Sequence, residues 1–330
     1  MKSKLPFEAI KREVLVKRDS DTGSKFGCRP EDRPINKYLE FCIVNIDKPK
    51  GPTSHQVSAY VKDIFKVDKA GHSGTLDPGV TGVLVVAVSK ATKVVQSLLT
   101  AGKEYVGVMH LHKEADKAKI EKTCKSFVGE ITQLPPIKSA VKRQKRQRKI
   151  YYFDILEIDE RDVLFRTGTE AGTYIRKLCH DLGQKMGTGA HMSELRRTKV
   201  GPFNESTLVT LQNLKDALWL WKNKKDETTL RKAVQPMENA IEHLPKIWVM
   251  DTTVDTICHG AQLKVPGIAK LHEGIKKDQI VAVMTLKDEL VATAKARMTS
   301  KEIMKKIKGT ATRTERVFME IGVYPKIEKF

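Results

Sequence analysis

Apolar positions along the chain fall into short strand-like runs and a few helical stripes. Leu39 to Asp47 predicts a strand closed by the turn text KPKGPTS, after which Ser54 caps a helix carrying Val57, Val61, Ile64 and Phe65 at helical spacing. Further strand-like runs are Val83 to Val88, Glu104 to Leu111, Tyr151 to Ile158 and Val163 to Thr167. Ser89 to Ala101 predicts a helix with Val94, Val95, Leu98 and Leu99 on one stripe and Gly102 as its stop. Ile175, Leu178, Cys179, Leu182 and Met186 mark a second amphipathic helix, with Thr173 as its cap and Gly187 and Gly189 at its end. A helical stretch over Leu211 to Trp221 precedes the turn Leu244-Pro245, where we place a domain boundary.

Beyond that boundary the runs Ile247 to Met250, Gln279 to Met284, Leu290 to Lys295 and Val317 to Ile321 predict a small barrel. Thr299 and Glu302 form a capping box for one helix bearing Ile303, Met304 and Ile307, with Gly309 as the stop. Strands and helices without a regular βαβ rhythm predict an α+β class rather than a doubly wound one. Residues 1–36 show no clear period and read as an extended arm, which leaves 37–245 and 246–330 as two domains. A length of 330 residues exceeds what one core usually supports and agrees with that division.

Charge narrows the partner. The net charge of +20 points to a polyanion such as nucleic acid. Residues 246–330 hold 16 basic and 10 acidic side chains, a net of +6, and the rest of the chain carries +14, so both domains are basic. The densest run, KSAVKRQKRQRK at Lys138 to Lys149, has seven basic residues in twelve and no acid. It reads either as a solvated surface loop or as a loop that contacts phosphates. Its candidate contacts are Lys138, Lys142, Arg143, Lys145, Arg146 and Arg148.

No uncharged apolar run reaches membrane-spanning length, and Met1 to Lys11 lacks the apolar core of a secretory signal, so a soluble, cytoplasmic protein is expected. Five cysteines without a CxxC pair suit a reducing compartment and give no zinc spacing. His110 and His112 share one strand face, but the sequence sets no cysteine or acidic cluster beside them, and no metal site is predicted. Neither GxxxxGK[ST] nor GxGxxG occurs, so no nucleotide cofactor is implied.

The most unusual text is GHSGTLDPGVTGVLVVAV, Gly71 to Val88, in which four glycines and a proline surround one acid, Asp77. Such a loop positions a carboxylate, or makes an Asp-Pro turn with a structural cap. This stretch resembles the signature of the TruB-type pseudouridine synthases. KEYVG at Lys103 to Gly107, GTYIRKLCHDLG at Gly172 to Gly183 and MSELRRTKVGPF at Met192 to Phe203 agree with it in order. LTAGKEYVGVMHLHKE, PPIKSAVKR with its basic run, and CHGAQLKVPGI resemble more narrowly the dyskerin-type enzymes, the catalytic subunits of box H/ACA guide ribonucleoproteins.

The resemblance implies a mixed, mostly antiparallel sheet flanked by helices, with a C-terminal PUA pseudo-barrel on which the arm packs. It implies that Asp77 is the catalytic carboxylate, that Tyr105 stacks on the target base, and that Tyr174 stands beside the reacting base. Arg176 would pair with Asp77, Leu195 would close the pocket, and the basic loop would grip substrate RNA. The loop lacks the asparagine-glycine of the stand-alone bacterial wording, which favours the guided subfamily. Gly260, Lys264 and Gly267 become candidate contacts to guide RNA. Implied partners are an H/ACA guide RNA, substrate ribosomal or transfer RNA, and zinc-ribbon-like, small β-barrel and kink-turn-binding subunits.

Making pseudouridine breaks the bond from uracil N1 to the ribose, turns the base and joins C5 to the same carbon. The isomerisation needs no redox partner or cofactor. It needs an anion at the sugar, and Asp77 could serve as nucleophile or as base. The target base must be flipped out, and an aromatic face recovers part of its stacking. Guide-independent modification of transfer RNA and a non-catalytic RNA scaffold are the alternatives. A dead scaffold would be expected to lose Asp77, Tyr105 or Arg176, and all three stand.

Overall fold

The computed structural model describes residues 3–135 and 144–326. In chain order its strands are β1 Val14–Val16, β2 Cys42–Lys48, β3 Ala70–His72, β4 Thr81–Val88, β5 Lys103–Leu111, β6 Gly129–Gln133, β7 Arg146–Asp159, β8 Asp162–Thr169, β9 Ala190–Val200, β10 Phe203–Asn204, β11 Gln235–Pro236, β12 Lys246–Val249, β13 Ile268–His272, β14 Ile280–Met284, β15 Leu290–Ala296 and β16 Thr312–Val317. The helices are α1 Ile35–Glu40, α2 Ser54–Phe65, α3 Val95–Leu99, α4 Lys117–Lys125, α5 Ile175–Met186, α6 Leu211–Lys224, α7 Glu227–Ala233, α8 Asp251–Cys258 and α9 Ser300–Lys305. Two compact units emerge, and neither is continuous: residues 1–10, 44–86 and 95–233 form one, and 11–43, 87–94 and 234–330 the other.

In the first unit the sheet runs β2-β4-β9-β5-β8-β7-β6. It is mixed and mostly antiparallel, as the lack of a βαβ rhythm predicts: β5 pairs antiparallel with β8 and β9, and β4 runs parallel to β9. Helix α5 lays Ile175, Leu178, Cys179, Leu182 and Met186 into a core shared with Met109, Leu111, Val163, Phe165 and Leu195. At roughly 1.5 to 3 kcal/mol for each large apolar side chain, that face holds the helix to the sheet. Gly187 ends it at φ 76°, as expected. Its start differs from the expectation. Thr173 bonds back to the Glu170 carbonyl, and the Gln133 side-chain amide instead satisfies both the N–H and the carbonyl of Tyr174, at 3.0 and 3.1 Å.

Two other helix starts and stops move. Thr53, not Ser54, caps α2 in a reciprocal box with Gln56, which frees the Ser54 hydroxyl for another bond. Ser89 to Ala101 is not one helix: a 3-10 segment over Ser89–Val94 gives way to five α-helical residues. Lys103 explains the early end, because its Nζ takes the carbonyls of Leu98, Leu99 and Ala101 at 3.2, 3.2 and 2.9 Å.

The second unit is a six-stranded sheet in the order β1-β13-β12-β14-β15-β16, with β12 and β14 parallel. Its core includes Ile247, Val254, Ile268, Leu271, Val283, Val291 and Ile303. The Thr299 and Glu302 box opens α9 as predicted, but the helix stops at Lys305 and leaves Ile307 fully outside it. The predicted strand Val317 to Ile321 lies earlier, at Thr312–Val317, where it pairs with β15. The arm is more ordered than its composition suggests. Val14 to Val16 extends the sheet along β13, and Lys287 Nζ donates to the carbonyls of Gly23, Phe26 and Gly27.

Arg33 fixes the arm most firmly. Its guanidinium grips Glu238 through two bonds of 2.6 and 3.0 Å, and both side chains are only 8% exposed. Glu238 also accepts the Leu290 N–H at 3.0 Å. Replacing Glu238 by Ala strands a buried cation and should cost about 3 to 5 kcal/mol. Calorimetry of Glu238→Ala is expected to show a clear fall in melting temperature, and an unchanged Tm would contradict this.

Candidate active site

Sheet register brings the motif segments together. In β9, Arg196 and Arg197 pair with Thr81 and Gly82 of β4 on one side. On the other side Leu195 faces Gly107 of β5, and Arg197 faces Tyr105. The loop 74–80 that feeds β4 therefore lies against β9, and α5 presents Arg176 from its first turn. A cleft of about 570 Å³ opens there, lined by Asp77, Thr81, Gly107, Arg176, Leu195 and Arg196 among others.

Gly107 is required by the closeness of the strands. A Cβ there would stand 2.7 Å from Leu195 Cδ1 and 2.8 Å from the Glu194 carbonyl. Gly107→Ala must push β5 from β9 and should cost about 1 to 3 kcal/mol as overpacking does. Lower thermal stability together with reduced turnover is the expected outcome, and a variant matching the parent in both would refute it.

Asp77 and Arg176 form an ion pair through Oδ2 and Nη2. The pair stands at the open mouth of the cleft rather than enclosed, with side chains 51% and 62% exposed. The backbone beneath it is fixed from inside. Ser54 Oγ accepts from Leu76 N–H at 2.8 Å and lies 3.2 Å from the Leu76 carbonyl, to which it donates. Lys48, fully buried, takes the carbonyls of Pro49, Pro78 and Val80 at 2.9, 3.2 and 2.8 Å. Arg197 reaches the carbonyls of Val83 and Gly74 at 2.8 and 3.1 Å. Burial, followed by the charge of Arg197, pulls Lys103 down to about 7.

Other candidates fall elsewhere. Tyr105 is 7% exposed, packed in the apolar cluster with Leu76, Val80 and Leu195 rather than on the cleft wall. Tyr174 is half-buried at the start of α5 and does not line the cleft. Lys138, Lys142 and Arg143 lie outside the described residues. Lys145 helps line a separate 390 Å³ groove with Phe127, Lys177 and Lys185, while Arg146 and Arg148 stand on β7, paired with Gln133 and Ile131 of β6. In the second unit Gly260 and Lys264 are exposed, whereas Gly267 is buried, its Cα backed against Thr253.

His110 and His112 have neighbours that the sequence did not reveal: Asp162 lies 2.7 Å from His110 and His191 lies 3.0 Å from His112. Strand pairing supplies both. Among the described residues no group of three or more His, Cys, Asp or Glu is arranged to hold a metal ion. Sequence reasoning also missed Lys48 and Arg197, and it gave Ser54 a capping role instead of its bonds to Leu76. The only signal available was a lysine, a serine and an arginine inside motif text, with nothing to mark them as buried.

Comparison with known proteins identifies the architecture. The family described as TruB family pseudouridylate synthase (N terminal domain) matches residues 62–121 and 112–175, and tRNA pseudouridylate synthase B C-terminal domain matches 176–242. The chain belongs to the TruB family of pseudouridine synthases. A DKCLD (NUC011) domain matches residues 2–58 and a PUA domain matches 245–318. Among curated relatives, a probable tRNA pseudouridine synthase B of Pyrococcus furiosus is 58% identical over 320 residues, covering 96% of this chain and 94% of that protein. One of the same name from Methanopyrus kandleri is 54% identical over 323 residues, covering 98% and 95%. Among solved structures, a Cbf5-Nop10-Gar1 complex matches with a TM-score of 0.94 at 57% identity, covering 98% of this chain and 99% of that one. An H/ACA RNP bound to a substrate RNA containing 2'-deoxyuridine gives 0.92 at 54% identity, with the same coverage. The fold is thus that of a pseudouridine synthase of mixed α+β class carrying a PUA domain.

Proposed function

We propose that this TruB-family enzyme is the catalytic subunit of an RNA-guided particle that converts chosen uridines of ribosomal RNA to pseudouridine. The full-length likeness to a subunit of an H/ACA RNP holding substrate RNA carries this reading. Residues 37–245 are its catalytic domain, 246–330 its PUA domain for guide RNA, and 1–36 an arm on the latter. The free cysteines and the lack of any membrane-crossing helix among the described residues agree with a cytoplasmic setting. Its partners are subunits like the Nop10 and Gar1 of the neighbouring structures, with a kink-turn-binding protein reached through the guide.

Asp77 is the reacting carboxylate, attacking the sugar or removing a sugar proton while the N1 bond breaks. Arg176 orients it through the ion pair that the two side chains form. Leu195 closes the cleft wall over the flipped base, which stacks on Tyr105, with Tyr174 near its edge. Because Tyr105 is buried, the base must displace apolar neighbours to reach the ring. The basic run from Lys138 to Arg148 holds substrate phosphates, and Gly260, Lys264 and the backbone at Gly267 hold the guide.

Only the transition state uses the carboxylate, so Asp77→Asn should abolish pseudouridine formation and leave RNA affinity within about twofold. Mapping of the product RNA checks this, and substantial residual pseudouridine would remove Asp77 from its role. The curated relatives bear the name of transfer RNA enzymes, which keeps guide-independent modification of transfer RNA as a second reading. Purified protein assayed on ribosomal and transfer RNA, with and without an H/ACA guide, separates them. Guide-dependent modification of ribosomal RNA is expected; full activity on transfer RNA alone would favour the second reading.

A further inference from the structure

Arg197 heads the fully buried side chains by volume, and among the described residues its guanidinium bonds to carbonyls rather than carboxylates. A buried guanidinium without an acid is costly, and an apolar side chain would fill the same space more cheaply. Its donors hold two different parts of the site, and it faces a third. Nη2 holds the carbonyl of Gly74, where the loop to Asp77 begins. Nε holds the carbonyl of Val83, in the strand that the loop enters. Tyr105 stands directly across the β5–β9 register from the same residue, so the two side chains leave the sheet side by side on one face.

We propose that Arg197 is a positioning residue for pseudouridylation, fixing the Asp77 loop and the Tyr105 ring at one spacing. The inference rests on the roles given above to Asp77 and Tyr105. No neighbouring cation can take its place. Lys48 is spent on Pro49, Pro78 and Val80, and Lys103 on Leu98, Leu99 and Ala101. A lysine at 197 would keep the charge but lose the planar fork that serves separate acceptors at once. A shift of the carboxylate or the ring by an ångström is enough to cost turnover, because catalysis of this kind depends on near-attack geometry.

The test uses the full chain with guide and substrate RNA. Arg197→Lys should lower kcat by at least about tenfold while KM for substrate RNA stays within about twofold. Gly74→Ala disturbs the same loop without touching the guanidinium. Its φ of +115° strains any side chain, yet the new Cβ would meet only ordinary contacts at 3.7 Å. It should show the same split, reduced in size. Arg33→Lys, which loosens an equally enclosed pair in the other unit, should lower the melting temperature and leave kcat unchanged. A folded Arg197→Lys with kcat within twofold of the parent, beside an inactive Asp77→Asn, overturns the proposal. If Arg197→Lys fails to fold, an unchanged kcat in Gly74→Ala overturns it instead. An active Asp77→Asn would defeat the underlying reading of the site, and this proposal with it.

Discussion

Adjacent residues of a strand point to opposite faces, and in β9 this sends two neighbouring arginines in opposite directions. Arg196 faces outward and is tied to Asp47 and Glu205 at 3.0 and 2.6 Å. Arg197 faces inward, buried. Leu195 before them meets Gly107, so three consecutive residues set the cleft wall, an ionic clasp and the interior support of the Asp77 loop. A slip of one residue in the β4–β9 register would exchange the two arginines and bury the clasp while exposing the support. The site therefore depends on that register before it depends on any catalytic side chain.

The loop around Asp77 is irregular backbone, and its carbonyls need donors that no strand supplies. Lys48, Ser54 and Arg197 meet that need from the inside. Cations are efficient at this because each can serve several carbonyls, and a charged donor makes a stronger bond than a neutral one. The cost is desolvation without the relief of a carboxylate partner. Lys103 shows the scale of it: burial leaves its amine near neutrality while it closes the end of α3.

Much of this was legible in sequence where local chemistry decides it. The amphipathic stripe of α5, its Gly187 stop and the Thr299 to Glu302 box follow from rules that act over four residues. The pairing of Asp77 with Arg176 followed from family resemblance rather than from spacing, since 99 residues separate them. What stayed hidden is long-range. The early end of α3 comes from Lys103 taking carbonyls that a longer helix would keep, and the start of α5 is held by Gln133 from β6. His191 and Asp162 reach His110 and His112 only through strand pairing. The short β1 was hidden because Val14, Leu15 and Val16 are all apolar, so the sequence shows no alternation although only Leu15 packs on the core.

The contrast between a buried framework and an exposed ion pair has a physical consequence. An ion pair in water contributes about 0 to 1 kcal/mol, so Arg176 can release or re-aim Asp77 at little cost while the cleft is open. On the function proposed above, covering the cleft with RNA would remove that water, and the same charges would then interact far more strongly. Loop, strand and helix beneath them are fixed by the internal bonds of Lys48, Ser54 and Arg197. On the same proposed function, substrate would have to desolvate the pair and admit the base past Leu195 to the Tyr105 ring, which packs in the core. For the roles proposed for Leu195 and Tyr105, opening of that apolar cluster rather than movement of the carboxylate would be the structural change required.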